Sequence, residues 1–151
     1  MKSNKDKGTT LPETDPRGCT LLEFPESADP RGNLSFLENG RHIPFDIKRV
    51  FYLYDVPAGA RRAAHALIKC QQCIIAIAGS LDVLLDDGFA RKTYHLDRPN
   101  AGLYVPAMVW RELLNFSAGS ICLVMASEFY DPADYFRDYA DFRQAIGGHQ
   151  P

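Results

Sequence analysis

Histidine and arginine side chains on short apolar segments are the groups of this sequence best suited to chemistry. His65 lies in such a segment, and an imidazole whose ordinary pKa is about 6.5 can accept or donate a proton at neutral pH. Arg49, Arg62 and Arg111 lie within or beside similar segments, and guanidinium groups bind phosphate-type anions and stabilise developing negative charge. Together they predict proton transfer on an anionic substrate. A core histidine and solvated or ion-paired arginines are the alternative interpretation.

Three aromatic residues are candidates for supporting roles. The hydroxyl of Tyr52 can donate a proton or orient a substrate, and the rings of Trp110 and Tyr104 can stack on a nucleobase. Each can equally be a core residue of a β-structure. Alternation along the segment of Tyr52 places Arg49 and Phe51 on one face and Tyr52 on the other, so one of these two sets lines a cavity unless a bulge intervenes.

The cysteines do not follow a metal-binding pattern. Cys70 and Cys73 have the two-residue gap of a zinc knuckle, but Cys19 and Cys122 are not spaced as the second pair that a knuckle needs. Buried free thiols in a reducing compartment are the better explanation for all four. We predict neither a metal nor a cofactor.

Length and charge restrict the class of protein. The 151 residues fit one compact domain, and the net charge of −2 comes with dispersed Lys and Arg, which leaves no basic stripe for nucleic acid or an anionic membrane. The longest apolar stretch, Cys73 to Ala78, is far shorter than the roughly 20 residues that span a bilayer. The polar N-terminus has no export signal. We predict a cytoplasmic protein that binds neither nucleic acid nor membrane.

Short β-type segments separated by turn residues dominate the chain from Cys19 onward. They cover residues 19–24, 34–37, 48–56, 63–67, 73–78, 80–85, 92–96, 102–105, 110–116 and 121–128. Their spacing of roughly ten residues predicts an antiparallel sandwich or barrel. Asp86-Asp87-Gly88 is typical of a hairpin turn. Residues 1–18 are predicted to be a disordered leader, and residues 19–151 a single domain.

The tail of the chain has a helical pattern. Aromatic and aliphatic residues recur at three- and four-residue spacing from Asp131 to Ile146, and Asp131-Pro132 is a favourable start for a helix. We expect a short C-terminal helix that packs against the barrel or a second subunit.

Six motifs in one order along the chain suggest a family. They are Asp29-Pro30-Arg31-Gly32, the stretch from Ile43 to Tyr52, Arg62 through His65-Ala66, Ile75-Ala76 with Gly79-Ser80, Trp110-Arg111-Glu112, and Tyr130-Asp131 with Arg137-Asp138-Tyr139. Together they resemble the WxcM-like sugar 3,4-ketoisomerases over residues from about 19 to 146. Each motif alone is weak, and the signal lies in their common order.

The resemblance implies an all-β jelly-roll cupin that forms a homodimer. It further implies an isomerase that moves the keto group of a dTDP-4-keto-6-deoxyglucose from C4 to C3 through an enediol, in deoxyamino sugar biosynthesis for polysaccharides or glycosylated metabolites. His65 and Tyr52 would be the catalytic residues. The substrate-binding residues would be Arg49, Arg62, Arg111, Trp110 and Tyr104.

One departure from the family pattern leaves an alternative open. The family usually has His-Ala-His on one strand, whereas this chain has His65-Ala66-Leu67, followed by Ile68 where lysine is common. Either His65 is the base, with water or a tyrosine as the second proton carrier, or the chain is an altered cupin that binds a nucleotide sugar or a partner without isomerising it. A 3,5-epimerase is a third interpretation, which the absence of an evident matching His, Asp and Tyr pattern disfavours.

Overall fold

The structure, a computed structural model, describes Leu11 and residues 14–147. Most of the predicted leader, residues 1–10 and 12–13, therefore lies outside the described residues, as does His149. The last part of that leader is held by hydrogen bonds: the carboxylate of Asp15 accepts from the hydroxyl of Tyr94 at 2.5 Å, and the backbone N–H of Arg17 donates to Asp87 at 2.7 Å.

Twelve strands and one α-helix make up the regular structure of residues 14–147. The strands are β1 Thr20–Glu23, β2 Glu26–Asp29, β3 Gly32–Ser35, β4 Arg49–Leu53, β5 Arg62–Leu67, β6 Gln72–Ala78, β7 Leu81–Asp86, β8 Arg91–Leu96, β9 Ala101–Val105, β10 Trp110–Leu114, β11 Ile121–Ala126 and β12 Tyr135–Phe136, and the helix is α1 Tyr139–Gly147. Each of the ten predicted segments overlaps one of the observed strands, with bounds that differ by at most a few residues. That α-helix is neither long nor apolar enough to cross a membrane.

Two five-stranded antiparallel sheets form the body of the domain. Their strand orders are β1-β9-β6-β11-β4 and β12-β5-β10-β7-β8, and β2 pairs with β3 as a separate hairpin. Apolar side chains of both sheets meet in one core, for example Ile74 and Leu103 from the first and Val83 and Leu113 from the second. These two packed sheets confirm the predicted all-β jelly roll. The sheets pack because alternating apolar residues give each of them one face to bury.

Local sequence explains where the chain turns. Asp86-Asp87-Gly88 joins β7 to β8 as predicted: Gly88 has φ of +92°, and its N–H donates to the Asp86 carboxylate at 2.7 Å. Gly102 in β9 serves close packing instead, because a Cβ there would lie 2.6 Å from Sγ of Cys73. All four cysteines are buried and free, as predicted.

The C-terminal helix starts later than the sequence predicts. Asp131 accepts from the N–H of Ala133 at 3.0 Å, but this cap begins only a short 3₁₀ turn, Pro132–Asp134. The chain then pairs with β5 as β12 before Asp138, which accepts from the N–H of Asp141, starts α1. Tertiary pairing with β5 overrides the local helical pattern at Tyr135 and Phe136.

Candidate active site

A cavity of about 110 Å³ lies between the two sheets. It is reached by side chains of five strands, β4, β5, β6, β10 and β11. Apolar groups form most of its wall, and an imidazole, two guanidinium groups and an amide are its polar groups. The lining residues are Phe51, Leu53, Arg62, Ala63, His65, Gln72, Ile74, Arg111, Leu113 and Val124.

A β-bulge places His65 in this wall. Arg111 of β10 pairs with His65, but the next residue, Glu112, pairs with Ala63, so that Ala64 is the additional residue of β5. Ala63 and Ala64 have φ of +67° and +55°, a conformation that costs alanine on the order of 1 kcal/mol or more. The fold thus maintains local strain directly before the histidine that faces the cavity.

His65 is neutral at physiological pH. Burial lowers its pKa from 6.5 to about 4, and the positive charges of Arg111, Arg137 and Arg49 contribute to the lowering. An interaction with the carbonyl of Ala63 raises the pKa in part. This interaction is weak, since Nδ1 of His65 is buried and has no hydrogen bond of normal geometry among the described residues. A neutral imidazole is the form that can accept a proton.

Arg111 is a buried cation without a carboxylate partner among the described residues. It is 1% exposed, and its Nη1 and Nη2 donate to the Gln72 side-chain oxygen at 2.8 Å and to the carbonyl of Val109 at 2.9 Å. Desolvation lowers its pKa to about 10, so the group remains charged at neutral pH. An uncompensated buried charge is costly and is typical of a site that binds an anion or stabilises negative charge.

Three buried polar atoms without a hydrogen-bond partner in the described part of the chain belong to residues that line the cavity. Nδ1 of His65, Nε2 of Gln72 and Nε of Arg111 are all buried and have no hydrogen-bond partner in the described chain, and all three residues line the cavity. Buried polar groups are normally satisfied. Three unpartnered polar atoms on residues around one cavity therefore indicate a site that a polar ligand completes.

The surroundings of His65 contain further cations and aromatic rings. Tyr135 packs edge-on against the imidazole, with 4.9 Å between the ring centroids, and the guanidinium of Arg137 lies 4.4 Å from the centroid of the Tyr135 ring. Arg49 lies over the rings of Phe51 and Tyr130 at 5.2 and 5.6 Å. Of the three predicted arginines, Arg62 and Arg111 line the cavity with His65, and Arg49 acts on His65 through its charge.

Leu67 fills the position of the missing second histidine with apolar contacts. It is 0% exposed and packs with Cys70 and Ala126, against which Phe51 and Tyr135 also pack. His65 is accordingly the one imidazole among the lining residues of the cavity.

The structure separates the remaining predicted site residues from the cavity. Tyr52 lies on the opposite face of β4 from Phe51, is 61% exposed and packs beside Tyr54 with 5.8 Å between ring centroids. The prediction that Tyr52 is a catalytic residue therefore has no support from its position, because strand alternation turns it away from His65.

The predicted nucleobase-stacking residues Trp110 and Tyr104 are likewise not cavity residues. Trp110 is buried against Tyr139 and Phe142 of α1. Tyr104 packs near Phe45 and donates its hydroxyl hydrogen bond to Gln71 at 2.5 Å. The alternative interpretation of both as structural aromatics matches their positions.

Sequence reasoning missed two residues of the site. Gln72 directly precedes an apolar segment, and its inward direction follows only from the exact start of β6. The sequence pattern predicts a helix at Tyr135, whereas the residue lies beside His65 because β12 pairs with β5. A polar residue at the edge of an otherwise apolar inward face was the signal that could have identified Gln72.

Comparison with known proteins gives a consistent set of relatives. Residues 17–147 match the FdtA family, described as WxcM-like, C-terminal. The TDP-4-oxo-6-deoxy-alpha-D-glucose-3,4-oxoisomerase of Aneurinibacillus thermoaerophilus is 40% identical over 126 residues, which cover 83% of this chain and 91% of that protein.

Solved structures of similar proteins share both fold and sequence with this chain. A 3,4-ketoisomerase from Helicobacter canadensis is 42% identical with a TM-score of 0.84, and the match covers 86% of this chain and 98% of that one. QdtA, a sugar 3,4-ketoisomerase from Thermoanaerobacterium thermosaccharolyticum in complex with TDP, is 36% identical with a TM-score of 0.86 and coverages of 89% and 98%.

Proposed function

Because the chain belongs to the FdtA family of WxcM-like proteins, we propose that it is a sugar-nucleotide 3,4-ketoisomerase that moves the keto group of TDP-4-keto-6-deoxyglucose from C4 to C3. The similar protein of Aneurinibacillus thermoaerophilus is a 3,4-oxoisomerase of that sugar nucleotide. A variant of QdtA with one histidine replaced by asparagine has been solved in complex with TDP-4-keto-6-deoxyglucose.

The convergence of unsatisfied groups on one cavity carries this proposal. His65 supplies a neutral base, and Arg111 and Gln72 supply donors that lack partners among the described residues. A keto sugar offers the complementary groups: an acidic C–H next to a carbonyl, and oxygen atoms that accept hydrogen bonds.

The reaction needs one proton to leave C3 and one to arrive at C4. His65 takes the C3 proton, the electron pair of that C–H bond forms the C3–C4 double bond, and the C4 carbonyl oxygen becomes the enediolate oxygen. Arg111 stabilises this negative charge. His65 then returns a proton to C4, while the proton of the C3 hydroxyl moves to the oxygen on C4, which leaves a carbonyl at C3 and a hydroxyl at C4.

Substrate binding would make His65 a stronger base. Arginine charges are part of the reason for its low pKa, and a diphosphate beside those charges offsets them, which raises the pKa of the imidazole toward the working range of a general base. Arg62, an exposed residue that lines the cavity, and Arg49 are the proposed ligands of the diphosphate.

Leu67 supports the second candidate, an altered cupin that binds the sugar nucleotide without isomerising it. Its apolar surroundings leave a single imidazole in the cavity wall. Under this candidate TDP would bind and stabilise the protein, but no keto transfer would occur.

We further propose that the protein forms a homodimer and acts in the cytoplasm. The hairpin of β2 and β3 is exposed along its whole length, and Val50, Tyr52 and Ile77 are exposed apolar residues on strands of the first sheet. A second subunit would cover such surfaces. Sedimentation of the purified protein at several concentrations would give its mass in solution.

Product analysis tests the proposed activity. Incubation of the protein with TDP-4-keto-6-deoxyglucose is expected to yield the 3-keto isomer, identified by proton NMR. Thermal stabilisation by TDP without any product would support the altered cupin instead. A product inverted at C3 or C5 with the keto group still at C4 would indicate an epimerase.

A further inference from the structure

Tyr135 is an aromatic neighbour of His65, the proposed base, and takes no part in the proton transfer itself. Its ring meets the imidazole of His65 edge-on, at an interplanar angle of 70°. We propose that Tyr135 is a positioning residue, which holds the His65 ring in its productive orientation through this ring contact. The inference rests on the proposed function and extends its site to the C-terminal segment of the chain.

The imidazole needs such a support because no hydrogen bond of normal geometry from the described residues holds its Nδ1, and the Ala63 carbonyl interacts with the ring only weakly. A catalytic histidine is commonly oriented by a hydrogen bond to its second ring nitrogen. Here Nδ1 of His65 is buried without a partner in the described chain, so packing against a neighbouring ring is the contact available to restrict rotation about χ2.

Tyr135 is itself fixed from three directions. Its backbone pairs with Leu67 of β5, two residues after His65. The guanidinium of Arg137 covers its ring at 4.4 Å, and the ring of Tyr130 packs against it at 5.8 Å. A support that is rigid in this way can transmit orientation to the imidazole, and small misplacements of a catalytic group are costly.

Phe136 provides a matched control on the same two-residue strand. It pairs with Ala66 of β5 but packs on the opposite side, against Phe142 and the cluster that contains Trp110. Loss of either aromatic ring removes packing from β12, whereas only loss of Tyr135 exposes the imidazole.

Three variants separate positioning from general stability. Tyr135→Leu is expected to lower kcat by about 10- to 100-fold with little change in KM, as for a misplaced base. Tyr135→Phe keeps the ring and is expected to retain kcat within about threefold. Phe136→Leu is expected to lower the free energy of unfolding while kcat stays close to wild type.

NMR of the His65 ring tests the contact independently of activity. In the free protein, Tyr135→Leu is expected to shift the ring resonances of His65 and to raise its pKa from about 4, because water reaches the imidazole. Phe136→Leu should leave both unchanged. Unchanged His65 resonances in Tyr135→Leu, or an equal loss of kcat in Tyr135→Phe, would overturn the proposal, whereas an inactive wild-type protein would count against the proposed function alone.

Discussion

His65 and Arg111 lie directly opposite each other on β5 and β10, and both side chains face the same cavity. The two groups interact electrostatically, since the charge of Arg111 is one cause of the low pKa of His65. Burial is the larger cause of that low pKa and the guanidinium adds to it; the same guanidinium is placed to stabilise the enediolate that forms when the base acts.

Replacement of Arg111 separates its chemical role from its structural one. Arg111→Met is expected to lower kcat by about 100- to 1000-fold, the usual cost of losing a donor to a developing oxyanion. Its free energy of unfolding should change by less than about 2 kcal/mol, because the loss of two hydrogen bonds is offset by no longer burying a charge. Arg98→Met, at an exposed ion pair with Glu23, is the control and should keep full activity. Unaltered kcat in Arg111→Met would contradict this role.

The low pKa of His65 predicts a specific pH dependence of stability. Well above pH 6.5 the residue is neutral in both the folded and the unfolded chain. As pH falls from 6.5 toward 4, the unfolded chain binds a proton that the folded chain excludes. The free energy of unfolding therefore decreases. The loss amounts to about 2 kcal/mol by about pH 5. His65→Asn is expected to lack it, as measured by urea unfolding at a series of pH values.

His95 is a control of opposite sign for the pH measurement. Its hydrogen bond with Asp82, at 2.7 Å, raises its pKa, so its contribution to stability is present at low pH and is lost as pH rises through the raised pKa. His95→Asn should therefore increase the loss of stability on acidification. An equal loss of stability in wild type and His65→Asn between about pH 7.5 and about pH 5 would show that His65 is not held neutral in the folded protein.

Restoring the usual family residue at Leu67 is expected to harm this chain. Leu67→His would bury an imidazole among Cys70, Ala126 and Phe51, which is expected to cost about 2 to 4 kcal/mol. Leu67→Met, which conserves volume, should cost less than about 1.5 kcal/mol. Chemical denaturation measures both, and a rise in kcat in a stable Leu67→His variant would contradict the view that His65 acts alone.

Tyr52→Phe tests the sequence-based catalytic assignment of Tyr52. The hydroxyl lies on the outer face of β4 beside Tyr54, and its removal is expected to leave kcat within about twofold of wild type. A loss of more than about tenfold would show that Tyr52 acts on the substrate after all, for instance from across a subunit contact.

The sequence predicts the fold well because its signals are local. Apolar alternation and turn residues such as Asp86-Asp87-Gly88 identify ten of the strands before any tertiary contact is known. β2 and β12 escape detection, because Glu26–Asp29 has no alternating apolar residues and is exposed throughout, and Tyr135–Phe136 becomes a strand only by pairing with β5.

The sequence predicts only part of the site, because only part of it depends on local signals. His65 and Arg111 follow from residue type and family motif, and their side chains do face the cavity. Trp110 and Tyr52 do not line this cavity, because strand alternation leaves the choice of inward face open and only the packing of the two sheets decides it. Tyr135 requires the long-range pairing of β12 with β5, which no local pattern contains.

Hydrogen exchange at C3 of the sugar is the most direct test of the central claim. In D₂O, the wild-type protein is expected to replace the C3 proton of TDP-4-keto-6-deoxyglucose by deuterium and to form the 3-keto isomer, followed by proton NMR. His65→Asn should still bind TDP but show no exchange above the rate without protein. Exchange by His65→Asn at the wild-type rate would contradict the assignment of His65 as the base.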